Sequence, residues 1–192
     1  MKEVNRDLSD EELKLVVEGY QTLFRSILSG LKQMKGEELT MREVKPYLLY
    51  FENPFPNTSV SIFPSNEIRR QYVDAAFALF NEGKHEIAKA GFLFLTRVID
   101  KDPNVLLGYG TCLLLTGNHE EAALYFEKSE ALLPGNLQAT VLKIRAFKEQ
   151  GSVAAAQAAL RSAIDDAIRQ SDQESRVLLE MVGERLGLRV GR

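Results

Sequence analysis

An all-α fold of stacked helix pairs is predicted, and three observations predict it. Gly83, Gly117 and Gly151 recur with a spacing of 34 residues. Five residues after each glycine comes Ala88, Ala122 or Ala156, and nine after each comes Phe92, Phe126 or Leu160. Between the glycines, apolar residues return at helical rather than alternating spacing. A glycine takes the tight turn between two helices without steric strain. An alanine lets two helix backbones approach where they cross, and the large apolar residue fills the gap beside it.

A 34-residue helix-turn-helix unit of this kind is the pattern of a tetratricopeptide repeat. The chain then divides into an N-terminal helical extension (1–50), a proline-rich linker (51–68) and a repeat domain (69–192). The domain holds repeats at 69–102, 103–136 and 137–170 and a capping helix at 171–187. Such repeats stack into a curved solenoid whose concave face binds other proteins. They carry no catalytic apparatus, so the expectation is a binding protein and not an enzyme, with no cofactor and no metal.

Composition agrees. A chain of 192 residues can bury a substantial core. A formal net charge of −3 gives no reason to expect nucleic acid or an acidic membrane as partner. The single cysteine, Cys112, excludes an internal disulfide framework and suits a reducing compartment. The opening residues lead into an acidic amphipathic segment and read as no signal peptide. No apolar run approaches the length of a membrane span, so a cytoplasmic protein without membrane insertion is expected.

In chain order, Ser9 and Glu12 form a capping box that starts a helix. Leu13, Val16, Val17, Tyr20, Phe24, Ile27, Leu28 and Leu31 make its apolar stripe, and Gly36 ends it. Packing against the first repeat or a partner subunit is expected in preference to membrane-surface binding, because Glu11, Glu12 and Glu18 would be repelled by anionic lipid. Pro46 should break the short helix possible at 41–50. The linker carries Pro54, Pro56 and Pro64 among the apolar residues Phe51, Phe55, Val60, Ile62 and Phe63. The first repeat opens near Arg69, and its second helix runs from His85 to Asp100. Asp102 before Pro103 starts the second repeat. Asn118 should cap the helix after Gly117, Pro134-Gly135-Asn136 should turn the chain, and Ser171 with Glu174 should box the start of the final helix. Leu178, Leu179, Val182 and Leu186 are expected on one face of that helix, which would serve as a solvating cap.

Gly108 and Gly110 stand inside the first helix of the second repeat, where each costs about 1 kcal/mol relative to alanine. A neighbouring helix pressed close against them is the expected reason, ahead of direct backbone contact with a ligand. The run Gly108-x-Gly110-x-Cys112-x-x-x-x-Gly117, preceded by Ala76-Phe77 and Gly83-Lys84, resembles the class II (translocator) chaperones of bacterial type III secretion, the LcrH/SycD group. The resemblance covers 72–168. It implies a small cytoplasmic chaperone of three repeats that holds translocator or effector proteins before export, taking a short segment containing proline and leucine in its concave groove. His85 and His119 stand where that group usually shows an aromatic residue, and the N-terminal 65 residues are longer than its leading helix.

From the spacing of the first helices, Val73, Phe77 and Phe80 of the first repeat should face the groove. Leu107, Thr111 and Leu114 of the second and Val141 and Arg145 of the third should join them. Arg145 alone among these is charged, which suits an apolar segment. The alternative is a tetratricopeptide scaffold in a multiprotein or regulatory complex, whose clamp for a carboxylate terminus would need inward lysines and arginines. Pro46-Tyr47-Leu48-Leu49-Tyr50-Phe51 approximates the proline-x-leucine-x-x-proline segment implied by the resemblance. It is expected to occupy a groove in cis or in a second copy, and the N-terminal extension is an expected route to a homodimer. No constellation for chemistry is present. His85 and His119 lie a repeat apart, Cys112 has no histidine near it in sequence, and the adjacent carboxylates Glu120-Glu121 and Asp165-Asp166 diverge on a helix. The glycines at 108 and 110 lack the Lys-Ser/Thr of a phosphate loop.

Overall fold

The computed structural model describes residues 9–48, 63–99 and 101–188, and every regular element among them is helical. The apolar linker residues Phe51, Phe55, Val60 and Ile62, the helix end expected at Asp100 and the chain ends before residue 9 and after residue 188 lie outside the described residues. The chain divides into two compact units, Met1–Asp100 and Lys101–Arg192.

The first unit is built from a long helix α1 (Asp10–Lys35), a single turn α2 (Met41–Val44), α3 (Asn66–Asn81) and α4 (His85–Val98). Ser9 and Glu12 make the expected capping box, with the Glu12 amide donating to Ser9 Oγ at 3.2 Å and the Ser9 amide donating to Glu12 Oε2 at 3.0 Å. Gly36 closes α1 in the left-handed conformation at φ 75°. The buried stripe is Val16, Gly19, Leu23 and Ile27, narrower than expected, since Val17 is exposed. After α2 the chain tightens into a 3₁₀ turn, Lys45–Tyr47. Pro46 has no amide hydrogen to donate to an α-helical bond, and the helix changes pitch there. Helix α3 begins three residues before Arg69, because Ser65 caps it through a bond from the Ile68 amide at 3.2 Å.

Helix α1 lies chiefly along α4 and more lightly along α3. Glycines permit the approach: a Cβ built on Gly19 would stand 2.0 Å from the carbonyl oxygen of Ala90, and one on Gly91 would stand 2.8 Å from Leu23. Glu12 near the start of α1 pairs with Arg97 near the end of α4 at 3.5 Å, so the two helices run antiparallel. Tyr72 sits at the centre of an aromatic cluster, with ring centroids 5.5 Å from Phe63 and 6.2 Å from both Tyr20 and Phe94. Its hydroxyl donates to the Tyr47 carbonyl at 2.7 Å, and burial holds its phenol well above the ordinary tyrosine pKa. The N-terminal extension is therefore part of the first unit's core.

The second unit holds α5 (Pro103–Leu115), α6 (His119–Leu132), α7 (Leu137–Glu149), α8 (Val153–Arg169) and α9 (Gln173–Arg185), each packed on the next in chain order. Asp102 caps α5 as expected, accepting from the Asn104 amide at 3.0 Å and the Val105 amide at 3.3 Å. Asn136 caps α7 in the turn at Gly135. Two capping expectations are corrected. Asn118 occupies the N-cap position, but its side chain makes no capping bond and donates to Thr116 Oγ1 at 3.4 Å. Ser171 adopts a left-handed conformation at φ 56°, closing the turn after α8, so Asp172 becomes the cap of α9 and accepts from the Ser175 amide at 3.0 Å.

The recurring glycines share one backbone conformation, and the recurring alanines and large apolar residues share one degree of burial, in both units. Gly83, Gly117 and Gly151 have φ of 78°, 85° and 87°, a region where any side chain would be strained. Ala88, Ala122 and Ala156 are fully buried, as are Phe92, Phe126 and Leu160. Gly110 is explained by a neighbouring helix, since a Cβ there would meet the Phe126 ring of α6 at 2.8 Å. Ile144, Leu160, Ile164, Leu179 and Leu188 continue this core towards the C-terminus.

Candidate functional site

Helix α3 carries two apolar stripes. Ile68, Tyr72, Ala75, Ala76 and Leu79 are buried against the other helices of the first unit. Beside them Val73, Phe77 and Phe80, spaced four and three residues apart, are only partly covered. That spacing puts all three on one face of the helix. Phe77 is held edge-on against the fully buried Phe92 at 4.9 Å, and Phe80 lies 5.1 Å from the His85 ring. The two phenylalanines are thus set by inner contacts while part of each ring stays open.

In the second unit the expected groove positions are less uniform. Leu107 and Leu114 of α5 are buried, at 9% and 3% exposure, and present little surface to any ligand. Thr111 is partly exposed and turns its hydroxyl back to the Leu107 carbonyl at 2.7 Å, so that its polar group is already satisfied within the helix. Val141 of α7 is partly buried against the C-terminal core. Arg145 is exposed, and its Nε is bound to Glu149 Oε1 at 2.6 Å.

His85 belongs to the first unit and His119 to the second. His85 stands against Phe80, with Nδ1 buried and lacking a hydrogen-bond partner among the described residues. His119 Nδ1 approaches Glu149 Oε2 at 3.5 Å, an electrostatic approach rather than a hydrogen bond. Cys112 is buried. Asp166 pairs with Arg169 along α8, while Asp165 is exposed on another side of the helix. Among the described residues no three His, Cys, Asp or Glu side chains are grouped to hold a metal, and no helix is long and apolar enough to cross a membrane.

Two features of the surface differ from expectation. In the segment expected to enter a groove, Tyr47 is buried inside the first unit and its carbonyl is held by Tyr72, while Phe51 lies outside the described residues. Helix α9 is not a purely solvating cap. Leu179 and Gly183 face inward, but Leu178 turns outward with Val177 and Met181. Leu178 and Leu179 are separated by about 100° around the helix, so one can face outward while the other faces the core. The close approach at Gly19 and Gly91 was also not drawn from the sequence, although a glycine inside an apolar helical stripe is its signature. A scan against protein-family models, a search of curated proteins and a search of solved structures each give no match.

Proposed function

We propose that the protein is a tetratricopeptide-type chaperone of the class II type III secretion kind, holding an extended apolar segment of a translocator or effector protein before export. The observation that carries this reading is the partly open stripe Val73, Phe77 and Phe80 on α3, lying beside a buried stripe that already anchors the helix. Beside that anchored face, Phe77 and Phe80 pack inward on Phe92 and His85 and still leave part of each ring open to a ligand. The three buried alanines, each five residues after a left-handed glycine, support the repeat architecture on which the reading depends.

Mostly covered rings suit reversible capture. Completing the burial of each, at most about a third of the ring, would contribute about 0.5 to 1 kcal/mol. A micromolar grip requires about 8 kcal/mol, so further contacts along the peptide backbone are part of the proposal. The scaffold alternative is less favoured, because Arg145, the one cation among the expected groove residues, is engaged by Glu149.

Isothermal titration with a synthetic proline-x-leucine-x-x-proline peptide tests the proposal. Micromolar binding is expected, falling at least tenfold in Phe77→Asp and Phe80→Asp proteins whose circular dichroism is unchanged. Leu107→Asp is a poor probe, because a charge at a 9% exposed position would unsettle α5 itself. Full-strength binding by both folded α3 variants would remove this stripe from the site and put the scaffold reading ahead.

A further inference from the structure

Helix α9 has an outward seam that is complementary to itself. Glu174, Leu178, Met181 and Arg185 are spaced by four, three and four residues, which on an α-helix forms one narrow stripe. All four are exposed, Leu178 at 44% and Met181 at 60%, and the adjacent Val177 at 43% widens the apolar centre. A shallow depression of about 410 Å³ is lined by Val177, Leu178 and Met181 with Gln173 and Glu174. The stripe lies roughly opposite Leu179 and Gly183, the residues that fix α9 to α8. Arg176 and Glu180 pair with each other at 3.5 Å on another side of the helix and leave the seam's own charges at its two ends.

We propose that this face binds a second copy of the same chain, α9 against α9, antiparallel about a two-fold axis between Leu178 and Met181. The sequence positions dictate that register. With the axis there, Leu178 of each copy meets Met181 of the other, Val177 meets Val182, and Glu174 meets Arg185 at both ends. An isologous contact repeats every pairing twice, so one complementary pair of residues supplies two ion pairs. A parallel arrangement would instead place Glu174 beside Glu174 and Arg185 beside Arg185. The charge order therefore selects the antiparallel dimer and a single register. One short helix from each copy buries less than the roughly 1,200 Å² of a standard interface, so the dimer is a weak, reversible one.

Sedimentation velocity of the full chain across a wide concentration range tests the proposal, with Glu174→Arg and Arg185→Glu as paired probes. Both positions are exposed and outside the core, so either variant should fold. The unaltered protein should show concentration-dependent dimers. Each variant alone places like charges opposite one another at both ends, and its dissociation constant should rise at least tenfold. An equimolar mixture of the two variants restores both opposite-charge contacts and should form a heterodimer as tightly as the unaltered protein. Leu178→Glu with Met181→Glu should abolish association. A chain that stays monomeric at every concentration would overturn the proposal, whatever else covers the face. So would a dimer insensitive to the Leu178 and Met181 changes, or a variant mixture that fails to associate.

Discussion

The second helices α4 and α6 carry the same glycine-alanine-phenylalanine register, yet they find their second partner in opposite directions along the chain. In the unit Lys101–Arg192, α6 packs on α5 before it and α7 after it. In the unit Met1–Asp100, α4 packs on α3 before it and on α1, which comes from upstream of both. The local helix pair is alike in the two units, and the choice of the third helix is not written in the repeat. It is written in Gly19 and Gly91, which let the α1 and α4 backbones come closer than any side chain would allow. A repeat pattern thus specifies a pair, while small residues outside the pattern decide what the pair is packed against.

Gly19→Leu is the strongest way to break this difference. A Cβ at that position meets a backbone carbonyl at 2.0 Å, and neither helix backbone can yield as a side chain can. Unfolding by urea should show a loss of about 3 kcal/mol or more, at or beyond the upper end for overpacking. Hydrogen exchange should rise in α1, α3 and α4 and stay unchanged in α7 to α9. Equal protection throughout would mean that α1 is not held by this approach.

The matching test in the second unit is Ala122→Phe, at a fully buried position of α6. A cost of about 1 to 3 kcal/mol is expected, read from the thermal midpoint and localised to α5 and α6. An unchanged midpoint would show that the alanine register does not set the helix spacing.

Tyr72→Phe addresses what fixes the short turn of the first unit. It deletes the bond to the Tyr47 carbonyl and leaves the ring stacking in place. About 1 to 2 kcal/mol should be lost, the range for a buried acceptor deprived of its donor. Near-ultraviolet circular dichroism should stay close to native, and proteolysis near Tyr47 should become faster.

Gly110→Ala should have almost no net effect, which sharpens the contrast with Gly19. The new methyl meets only the edge of the Phe126 ring at 2.8 Å, and a ring can tilt. Overpacking of about 1 kcal/mol is offset by a similar gain in helix propensity. A loss as large as that from Gly19→Ala would erase the distinction between backbone and side-chain contact.

A pH dependence confined to the single turn α2 is also expected. The Thr40 hydroxyl and amide, at 2.6 Å and 2.7 Å, together with Lys35 at 3.0 Å, lower the Glu43 carboxyl to a pKa of about 2. A carboxyl lowered in the folded state contributes stability that is complete above its ordinary pKa and is lost as the pH falls through the folded value. The Thr40 amide resonance should therefore titrate with a midpoint near 2. A midpoint near the ordinary 4.5 would mean that the capping box is open in solution.

By itself the sequence determined the helix pairs and most of their ends. Ser9, Gly36 and Asp102 act where they were expected, because a cap needs only its own few residues. The buried alanines and the residues four beyond them were legible for a similar reason, since a 34-residue recurrence carries both ends of each crossing. The corrected caps at Asn118 and Asp172 show the limit of such rules. A left-handed Ser171 moves the helix start by one residue, and no propensity records that. Of the candidate site, the stripe Val73, Phe77 and Phe80 was readable as a spacing, but which expected positions stay open was not. Leu107 and Leu114 have the same apolar character as Phe77, and only the packing around α5 covers them. Tertiary structure alone decided that α1 belongs to the first unit's core and that Leu178 and Met181 face outward. Both depend on which surfaces meet at a distance along the chain, and hydrophobicity, having no direction, cannot say which partner an apolar face will meet.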